Sequence, residues 1–293
     1  MFNGLPGIFY IVIAWIAYAY TIYAYAQGQI YYNWYAVKSG ACELMGGIMK
    51  PICNLEPYLV PDSIREQLDR TKVWDSMKDQ GKGAIYANNL FWFGLFMLQH
   101  TGMKKLGFKN KIFPVSERLE RPLYVFAAAF TFHMCFYMQC PLPDVIYELK
   151  DLRLMWCIGF FNFFGTMFCL ASTFILDHWS FMGITQAHAK EPENLPFGRT
   201  GMYGIMRHPQ YFGQLIAFWS RSRMTEGDLL YSVSMTLYIL IAVRYSEEPA
   251  LIKLIGEDYI TYTEEVPAYC PLRLPGMFCP QPRSKKVAKS KGA

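Results

Sequence analysis

IFYIVIAWIAYAYTIYAYA, residues 8–26, is the stretch that decides the fold class of this chain. It has no charged side chain, and the first one in the sequence is Lys38. A helix of this length spans about 30 Å of hydrocarbon. Of the 293 residues, 53% are hydrophobic and only 17% are charged, against about 25% charged in an average soluble protein. The sequence predicts an all-α integral membrane protein. Because residues 1–7 lack the basic start of a secretory signal, the run is expected to be a retained anchor.

Five further apolar segments follow, at residues 84–100, 123–138, 154–176, 211–219 and 229–243. Together with the first, they predict about six transmembrane helices. The fifth is short, so it is either extended by residues 220–225 or dips into the membrane and returns beside the sixth. The chain therefore divides into an N-terminal membrane anchor with a long extra-membrane loop (1–83), a membrane core (84–271) and a basic tail (272–293).

Basic residues indicate how the segments are oriented. Four lysines lie between the second and third segments, and the tail after the sixth is basic. The positive-inside rule puts both regions and the N-terminus on the cytosolic or matrix side, with Arg221 and Arg223 as exceptions. The mitochondrial inner membrane and the endoplasmic reticulum or nuclear membrane both agree with this multi-pass orientation. With a net charge of +5, the tail is expected to lie in solvent near anionic membrane lipids, and no nucleic-acid partner is indicated.

The eight cysteines contain no C-x-x-C pair and predict no metal site. Four lie in or beside apolar segments and are expected to be small core residues: Cys135, Cys140, Cys157 and Cys169. Cys42 and Cys53 share the long loop, where either a disulfide or two free thiols would fit. Cys270 and Cys279 are expected to be free thiols. The same loop predicts a short amphipathic surface helix at residues 63–75.

The motif Arg207-His208-Pro209-Gln210-Tyr211-Phe212-Gly213 brings polar groups to the start of an apolar segment. Pro209 lacks an N–H and has a fixed φ, which suits the first turn of a helix, so Arg207 and His208 are expected just before a helix N-terminus. Such a position attracts carboxylates and phosphates. The alternative is an interfacial cap, with the arginine reaching lipid headgroups and Tyr211 in the aromatic belt.

Glu247 and Glu248 stand at the end of the last apolar segment and are followed by Pro249, which predicts a helix break. A helical hairpin of the fifth and sixth segments would bring both acids to Arg207 and His208 at one membrane face. Charged groups are costly near a bilayer core, so such a cluster indicates a bound polar, zwitterionic ligand. Alternatively, the acids begin a surface helix or pair with a nearby arginine.

The residues around these motifs resemble a known family. The C-terminal pattern is Gly201-x-Tyr203-x-x-x-Arg207-His208-Pro209-x-Tyr211-x-Gly213, then Glu247-Glu248, Gly256-Glu257-Asp258-Tyr259-x-x-Tyr262 and Val266-Pro267. It is similar to the core of the membrane methyltransferases related to isoprenylcysteine carboxyl methyltransferase. Three earlier stretches resemble the branch that holds nurim, NnrU-type proteins and methanethiol S-methyltransferase. They are Gln99-His100-Thr101-Gly102, either Glu117-Arg118 or Glu120-Arg121 with Pro122-Leu123-Tyr124-Val125, and Asp177-His178-Trp179.

The resemblance implies S-adenosylmethionine as cofactor and methyl donor, bound by a C-terminal helical hairpin. It implies cofactor contacts at Tyr203, Arg207, His208, Tyr211, Gly213, Glu247, Glu248 and Tyr259. It also implies an acceptor side at Gln99, His100, Asp177, His178 and Gln186. Within that set, His100 or His178 would be the catalytic base that deprotonates a thiol. Both histidines, like His133, could instead be buried hydrogen-bonding residues.

Two functions stay open at this stage. One is an S-adenosylmethionine-dependent methyltransferase for a small thiol or another lipophilic acceptor, in which the protein chiefly aligns donor and nucleophile. The other is an accessory, structural subunit of a larger membrane complex, for example a mitochondrial respiratory complex, that keeps a methyltransferase-like fold beside other membrane-protein subunits. The long loop at residues 28–83 and the extension after residue 271 add surface that such a subunit would need.

Overall fold

The computed structural model describes residues 7–36, 77, 80–105, 116–140, 142–188 and 198–269. Several expectations lie outside these residues: the helix at 63–75, the pairing of Cys42 and Cys53, the thiols Cys270 and Cys279, and the basic tail. The described chain is mostly α-helical, as the sequence predicts. Its helices are α1 Gly7–Ala36, α2 Lys82–Lys105, α3 Glu117–Tyr137, α4 Leu152–Leu176, α5 His178–Met182, α6 Ile184–His188, α7 Met202–Ile205, α8 Pro209–Trp219, α9 Glu226–Ala242, α10 Glu248–Ile255 and α11 Glu257–Glu265.

In the described part of the chain, three helical stretches are long and apolar enough to cross a membrane. They are Gly7–Ala24 in α1, Leu152–Leu176 in α4 and Glu226–Ile255, which runs through α9 and α10. The integral-membrane class is thereby supported, with three candidate spans where the sequence predicts about six. The helix α8 has 11 residues, about 16 Å at 1.5 Å per residue, which is too short to cross a bilayer alone.

A short antiparallel sheet joins two connections that the sequence treats as plain loops. The strands are β1 Val145–Glu148 and β2 Arg223–Thr225, with Glu148 opposite Arg223. The expected extension of the fifth segment through residue 225 is therefore wrong, because α8 ends at Trp219 and the chain turns into β2. The pairing holds the connection between α8 and α9 against the one that leads into α4.

The helices α4 and α8 pack at very short range through two glycines. A Cβ added at Gly213 would lie 2.6 Å from the carbonyl oxygen of Gly165, and one added at Gly165 would lie 2.6 Å from that of Gly213. Real Cβ atoms do not approach backbone atoms so closely, so only glycine fits at both positions. Small residues that let two helix backbones touch are typical of packing inside membranes.

The first helix, α1, packs against α3 and α6 through buried apolar side chains. Tyr10 and Ala14 of α1 are buried with Leu119 of α3 and with residues of α6. Further along, the Tyr20 hydroxyl lies 2.9 Å from Nδ1 of His133. His133 thus has a hydrogen-bonding role in a half-buried position between α1 and α3, close to the alternative that the sequence left open for it.

One expectation about the core is wrong. Cys135, Cys140 and Cys169 are buried as predicted, but Cys157 in α4 is exposed. Few residues of α4 are buried in the protein, and its exposed side chains include Phe160, Phe163 and Phe174. An apolar run that faces lipid has no polar side to mark which residues point inward, so the sequence could not distinguish Cys157 from Cys169.

The helix break predicted at Pro249 is also wrong. The chain stays helical from α9 into α10 through a π-helical turn, Val243–Glu247, whose closing bond runs from the Glu248 N–H to the Val243 carbonyl. In a π-helical turn each bond spans one more residue than in an α-helix. Pro249, which has no N–H to give, follows directly after this bond as the second residue of α10, so it lies in the first turn of the new helix instead of ending the old one.

Candidate functional site at the start of α8

The site is built where α8 begins. Pro209 is its first residue and His208 its N-cap, as the Pro209 geometry predicts. The segment after α11 docks against this start, because the Arg207 N–H donates to the Pro267 carbonyl at 2.8 Å and the His208 N–H to the Ala268 carbonyl at 2.9 Å. These two backbone bonds fix Arg207 and His208 in place.

Arg207 is almost wholly enclosed, with 3% of its side chain exposed. Its Nη2 lies 2.6 Å from Oε1 of Glu248, and its Nε donates to the same oxygen at 2.8 Å. Its Nη1 donates to the carbonyls of Thr263 and Val266. The guanidinium therefore holds α10 and the end of α11 to the start of α8. Since a buried charge needs a partner, this pairing accounts for both Arg207 and Glu248.

His208 and Tyr211 reach the two acids separately. Nε2 of His208 lies 3.2 Å from Oε1 of Glu248, while the Tyr211 hydroxyl donates to Oε1 of Glu247 at 2.7 Å. Neighbouring residues on a helix point in different directions, so Glu248 faces the base of α8 and Glu247 faces its first turn. The structure thus brings together Arg207, His208, Tyr211 and both acids.

Three tyrosines of α7 and α11 lie next to the pair of Arg207 and Glu248: Tyr203, Tyr259 and Tyr262. The Tyr262 hydroxyl donates to the Tyr203 carbonyl at 2.5 Å, and the Tyr203 hydroxyl donates to the Ser172 carbonyl at 3.3 Å. Burial raises the pKa of Tyr203 to about 12 and that of Tyr262 to about 12. Burial also raises the pKa of Tyr259. All three phenols therefore stay neutral at physiological pH, and those of Tyr203 and Tyr262 donate hydrogen bonds.

His100 lies in a second polar group, beside the first. Its Nε2 is 3.1 Å from the Tyr124 hydroxyl, and its ring lies edge-on to that of Tyr238, 6.3 Å away. The Tyr238 hydroxyl in turn lies 3.0 Å from Oγ1 of Thr101. Gln99 points elsewhere, since its Oε1 accepts a bond from Thr131.

The two groups are connected electrostatically through Glu247. Its carboxylate interacts with the phenols of Tyr211, Tyr124 and Tyr238 and with the guanidinium of Arg121. Residues from α2, α3, α8, α9 and the π-helical turn therefore face one region. We call this set the Glu247 cluster; its members are His100, Arg121, Tyr124, Tyr211, Tyr238 and Glu247.

The sequence by itself indicates no role for Arg121, Tyr124 or Tyr238. Arg121 and Tyr124 belong to a quoted motif, and their spacing of three residues puts them on one face of α3, which was the available signal. Tyr238 lies within an apolar run, where a tyrosine is easily taken for a packing residue. Only its hydroxyl contact with α2 marks it as part of the cluster.

His178 contacts a different set of residues. Its Nδ1 lies 2.8 Å from Oγ1 of Thr173 and its Nε2 lies 3.3 Å from the Tyr18 hydroxyl, while its ring stacks on Phe174 at 4.2 Å. Burial lowers its pKa, and the nearby carboxylate of Asp177 partly opposes this effect. Both ring nitrogens are thus occupied by hydroxyls of α1 and α4, which favours a packing role for His178.

Asp177 and Gln186, also expected on the acceptor side, lie near His178. Asp177 has φ 139° and caps α5 by accepting from the N–H groups of Trp179 and Ser180. A hydrogen bond with the Ser180 hydroxyl, together with these two backbone bonds, lowers the pKa of Asp177. Gln186 donates to the Ser180 carbonyl at 3.1 Å. Both therefore stabilise the turn between α4 and α6.

The described chain is thus a helical membrane protein with a buried site of one His, one Arg, tyrosines and paired acids. Comparison with known proteins identifies the family to which this membrane protein belongs. Residues 154–258 match the family model described as PEMT, phospholipid methyltransferase. This range includes the start of α8 and both acids.

Two relatives are similar to more than two thirds of this chain. Methanethiol S-methyltransferase 1 of Bradyrhizobium diazoefficiens is 33% identical over 207 residues, which are 69% of this chain and 72% of the relative. Methanethiol S-methyltransferase 2 of the same organism is 30% identical over 221 residues, 73% of this chain and 80% of the relative. The chain belongs to the membrane methyltransferase family of these proteins, and the resemblance inferred from its motifs is confirmed.

More distant similarity extends to nurim. Nurim of Xenopus laevis is 24% identical over 162 residues, 51% of this chain and 57% of the relative. No solved structure matches this chain. The names of these relatives give no support to the alternative of an accessory subunit in a larger complex.

Proposed function

We propose that this protein transfers a methyl group from S-adenosylmethionine to a small thiol or another lipophilic acceptor. The observation that carries the proposal is the meeting of His208 and Tyr211 with Glu248 and Glu247 at the start of α8. The names of the relatives support a thiol acceptor, because they are methanethiol S-methyltransferases.

The residues present fit this cofactor in chemical type. S-adenosylmethionine carries a sulfonium and an ammonium, a carboxylate and two ribose hydroxyls. Glu247 among the rings of Tyr124, Tyr211 and Tyr238 offers a carboxylate and aromatic faces, both of which favour a cation. The N-terminus of α8 favours a carboxylate.

The proposed contacts divide into two kinds. His208, Tyr211 and Glu247 would touch the cofactor. Arg207 and Glu248 would act by holding each other and His208 in place, since the guanidinium already bonds Glu248 and two carbonyls. Tyr203 and Tyr259, which both contact Tyr262, would brace that pair, and Gly213 would let α8 approach α4.

When bound, the cofactor supplies an electrophilic methyl group on a good leaving group. The protein's own part is to align the acceptor and to accept its proton. His100 fits this second task, because its ring lies in the Glu247 cluster and its contact with Tyr124 orients it. We propose His100 as the base, and a packing role for His178.

The membrane arrangement belongs to the same proposal. The spans in α1, α4 and α9–α10 would cross the bilayer, and α8 would dip in and return beside α9 through the β2 connection. Ser232 supports this hairpin, since its hydroxyl donates to the Phe218 carbonyl at 3.0 Å. The start of α8 would then face the cytosol or matrix, where the cofactor is available.

Calorimetric titration of the purified full-length protein with S-adenosylmethionine and S-adenosylhomocysteine tests the cofactor. We expect micromolar binding that His208→Ala abolishes and that His188→Ala, a change at an exposed histidine of α6, leaves intact. Absence of binding at millimolar ligand would refute the proposal. Transfer of a labelled methyl group to methanethiol, compared with transfer to phosphatidylethanolamine vesicles, then separates a thiol acceptor from a lipid one.

A further inference from the structure

Two arginines of α3 make the same kind of contact one turn apart. Arg118 donates to the Ala187 carbonyl and lies 4.6 Å from the centre of the Tyr10 ring. Arg121 donates through Nε to the Phe181 carbonyl at 2.8 Å and lies 5.3 Å from the centre of the Tyr124 ring. Only the second belongs to the Glu247 cluster. Arg118 and Arg121 thus make similar contacts with a carbonyl and a ring. These contacts therefore do not explain why the positive charge of Arg121 faces the Glu247 cluster.

Arg121 differs from Arg207 in how its charge is balanced. Arg207 has a carboxylate oxygen at 2.6 Å. Among the described residues, no carboxylate lies within 4 Å of the Arg121 guanidinium, although Glu120 and Glu247 interact with it at longer range. Nε of Arg121 is engaged by Phe181, while its terminal nitrogens have no hydrogen-bond acceptor in the described part of the chain. This guanidinium is therefore able to hold an anion in its planar fork.

The charges of the cluster point to one kind of anion. A sulfonium near Glu247 and the guanidinium of Arg121 would repel each other if nothing lay between them. A neutral thiol would gain little from Arg121, but a thiolate placed between the two cations would be attracted by both. A nearby cation also lowers the pKa of a thiol and so raises the fraction of thiolate, which is the nucleophile.

We infer that Arg121 holds the methyl acceptor as a thiolate, beside Tyr124 and His100. This inference rests on the proposed function and deepens it by naming the residue that stabilises the anionic form of the substrate. The S–H bond of the thiol breaks, and its proton passes to the imidazole of His100. The thiolate sulfur then forms the new S–C bond with the methyl group, and the electron pair of the old S–CH3 bond returns to the sulfonium sulfur. A neutral thioether and a neutral leaving group result.

The test compares Arg121→Gln with Arg118→Gln in the full-length protein. The matched change at Arg118 removes a charge, a bond to a carbonyl and a contact with an aromatic ring, on the same helix but outside the cluster. For Arg121→Gln we expect the pH profile of kcat/KM for methanethiol to move up by about 1–2 pH units, since an adjacent opposite charge shifts a pKa by about 1–3 units. Activity should recover at high pH, and Arg121→Lys should shift the profile less.

A second readout needs no turnover. Thiophenol absorbs differently as thiol and as thiolate, so its apparent pKa when bound can be followed by ultraviolet difference spectroscopy without the cofactor. The wild type and Arg118→Gln should lower this pKa relative to free thiophenol, and Arg121→Gln should restore it. Binding of S-adenosylhomocysteine should be unchanged in all variants.

The outcomes separate the two proposals. If the wild type transfers methyl groups to thiols but Arg121→Gln keeps the wild-type pH profile and thiolate absorbance, the role of Arg121 is refuted while the proposed function stands. Loss of S-adenosylhomocysteine binding in Arg121→Gln alone would also refute it, since the arginine would then serve the donor. A wild type that binds no donor and methylates no thiol overturns both.

Discussion

Arg207 and Glu248, forty-one positions apart in the chain, form a buried ion pair in which Nη2 lies 2.6 Å from Oε1. Through this pair the start of α8 is fastened to the start of α10, which positions His208 and Glu247 as well. The structure therefore ties the stability of the C-terminal half to its proposed cofactor site.

Replacing Glu248 by Gln should strongly destabilise the protein. Arg207 would remain buried without a charged partner, and breaking such a pair costs about 3–5 kcal/mol. Denaturant or thermal unfolding in detergent measures the loss. The control is Glu265→Gln, which breaks the exposed pair with Arg199 at 3.5 Å and should change stability by at most about 1 kcal/mol. Equal effects of the two substitutions would contradict the structural role of Glu248.

Replacing Gly213 by Ala should separate α8 from α4. The new Cβ would meet backbone atoms of Gly165 and Cys169 at 2.6 Å, and overpacking of this kind costs about 1–3 kcal/mol. Binding of S-adenosylmethionine should weaken in parallel, because α8 carries His208 and Tyr211. The lower stability would appear as a reduced Tm.

Gly159→Ala supplies the matched control for that experiment. It lies on α4, and a Cβ there would have no atom within 4 Å. In an exposed helix position this change is expected to leave stability the same or to raise it by up to about 1 kcal/mol. A fall in Tm as large as that of Gly213→Ala would argue against close contact as the cause.

Stability should fall at acidic pH because of His178. Burial lowers its pKa, so the folded protein binds this proton less readily than the unfolded chain does. The unfolded pKa is about 6.5, so the contribution is complete above that value and is lost as the pH falls through it toward the folded pKa. His178→Gln should flatten the fall in Tm between about pH 7 and about pH 5. His188→Gln should keep the wild-type slope, and an unchanged slope in His178→Gln would count against the assignment.

Tyr211→Phe should weaken cofactor binding while leaving the fold intact. It removes the 2.7 Å bond that orients the Glu247 carboxylate, so Kd should rise about tenfold, which corresponds to about 1.4 kcal/mol of binding free energy. Calorimetry with S-adenosylhomocysteine measures the change. Tyr245→Phe, at an exposed position of the π-helical turn, should have little effect. If both variants bind like wild type, Glu247 is not a cofactor contact.

Much of the site could be predicted, because it depends on features of neighbouring residues in the sequence. Pro209 fixed the start of α8, and the spacing of the two apolar segments brought the acids to His208 and Tyr211. The membrane class followed from the uncharged run at residues 8–26. The prediction for Pro249 failed because a π-helical turn precedes it, and a change of hydrogen-bond register inside a helix leaves no mark in the hydrophobic pattern.

The sequence by itself determined the class of protein, its family and the pairing of basic and acidic groups at the ends of two helices. These depend on hydrophobicity, proline geometry and motif order, which are properties of neighbouring residues. Only the tertiary structure decided that Arg121, Tyr124 and Tyr238 face Glu247, that His178 bonds Tyr18 and Thr173 instead, and that β1 pairs with β2. Apart from the bond between His178 and Thr173, these contacts join residues far apart in the chain, and they depend on how closely helices can pack, as Gly165 and Gly213 show.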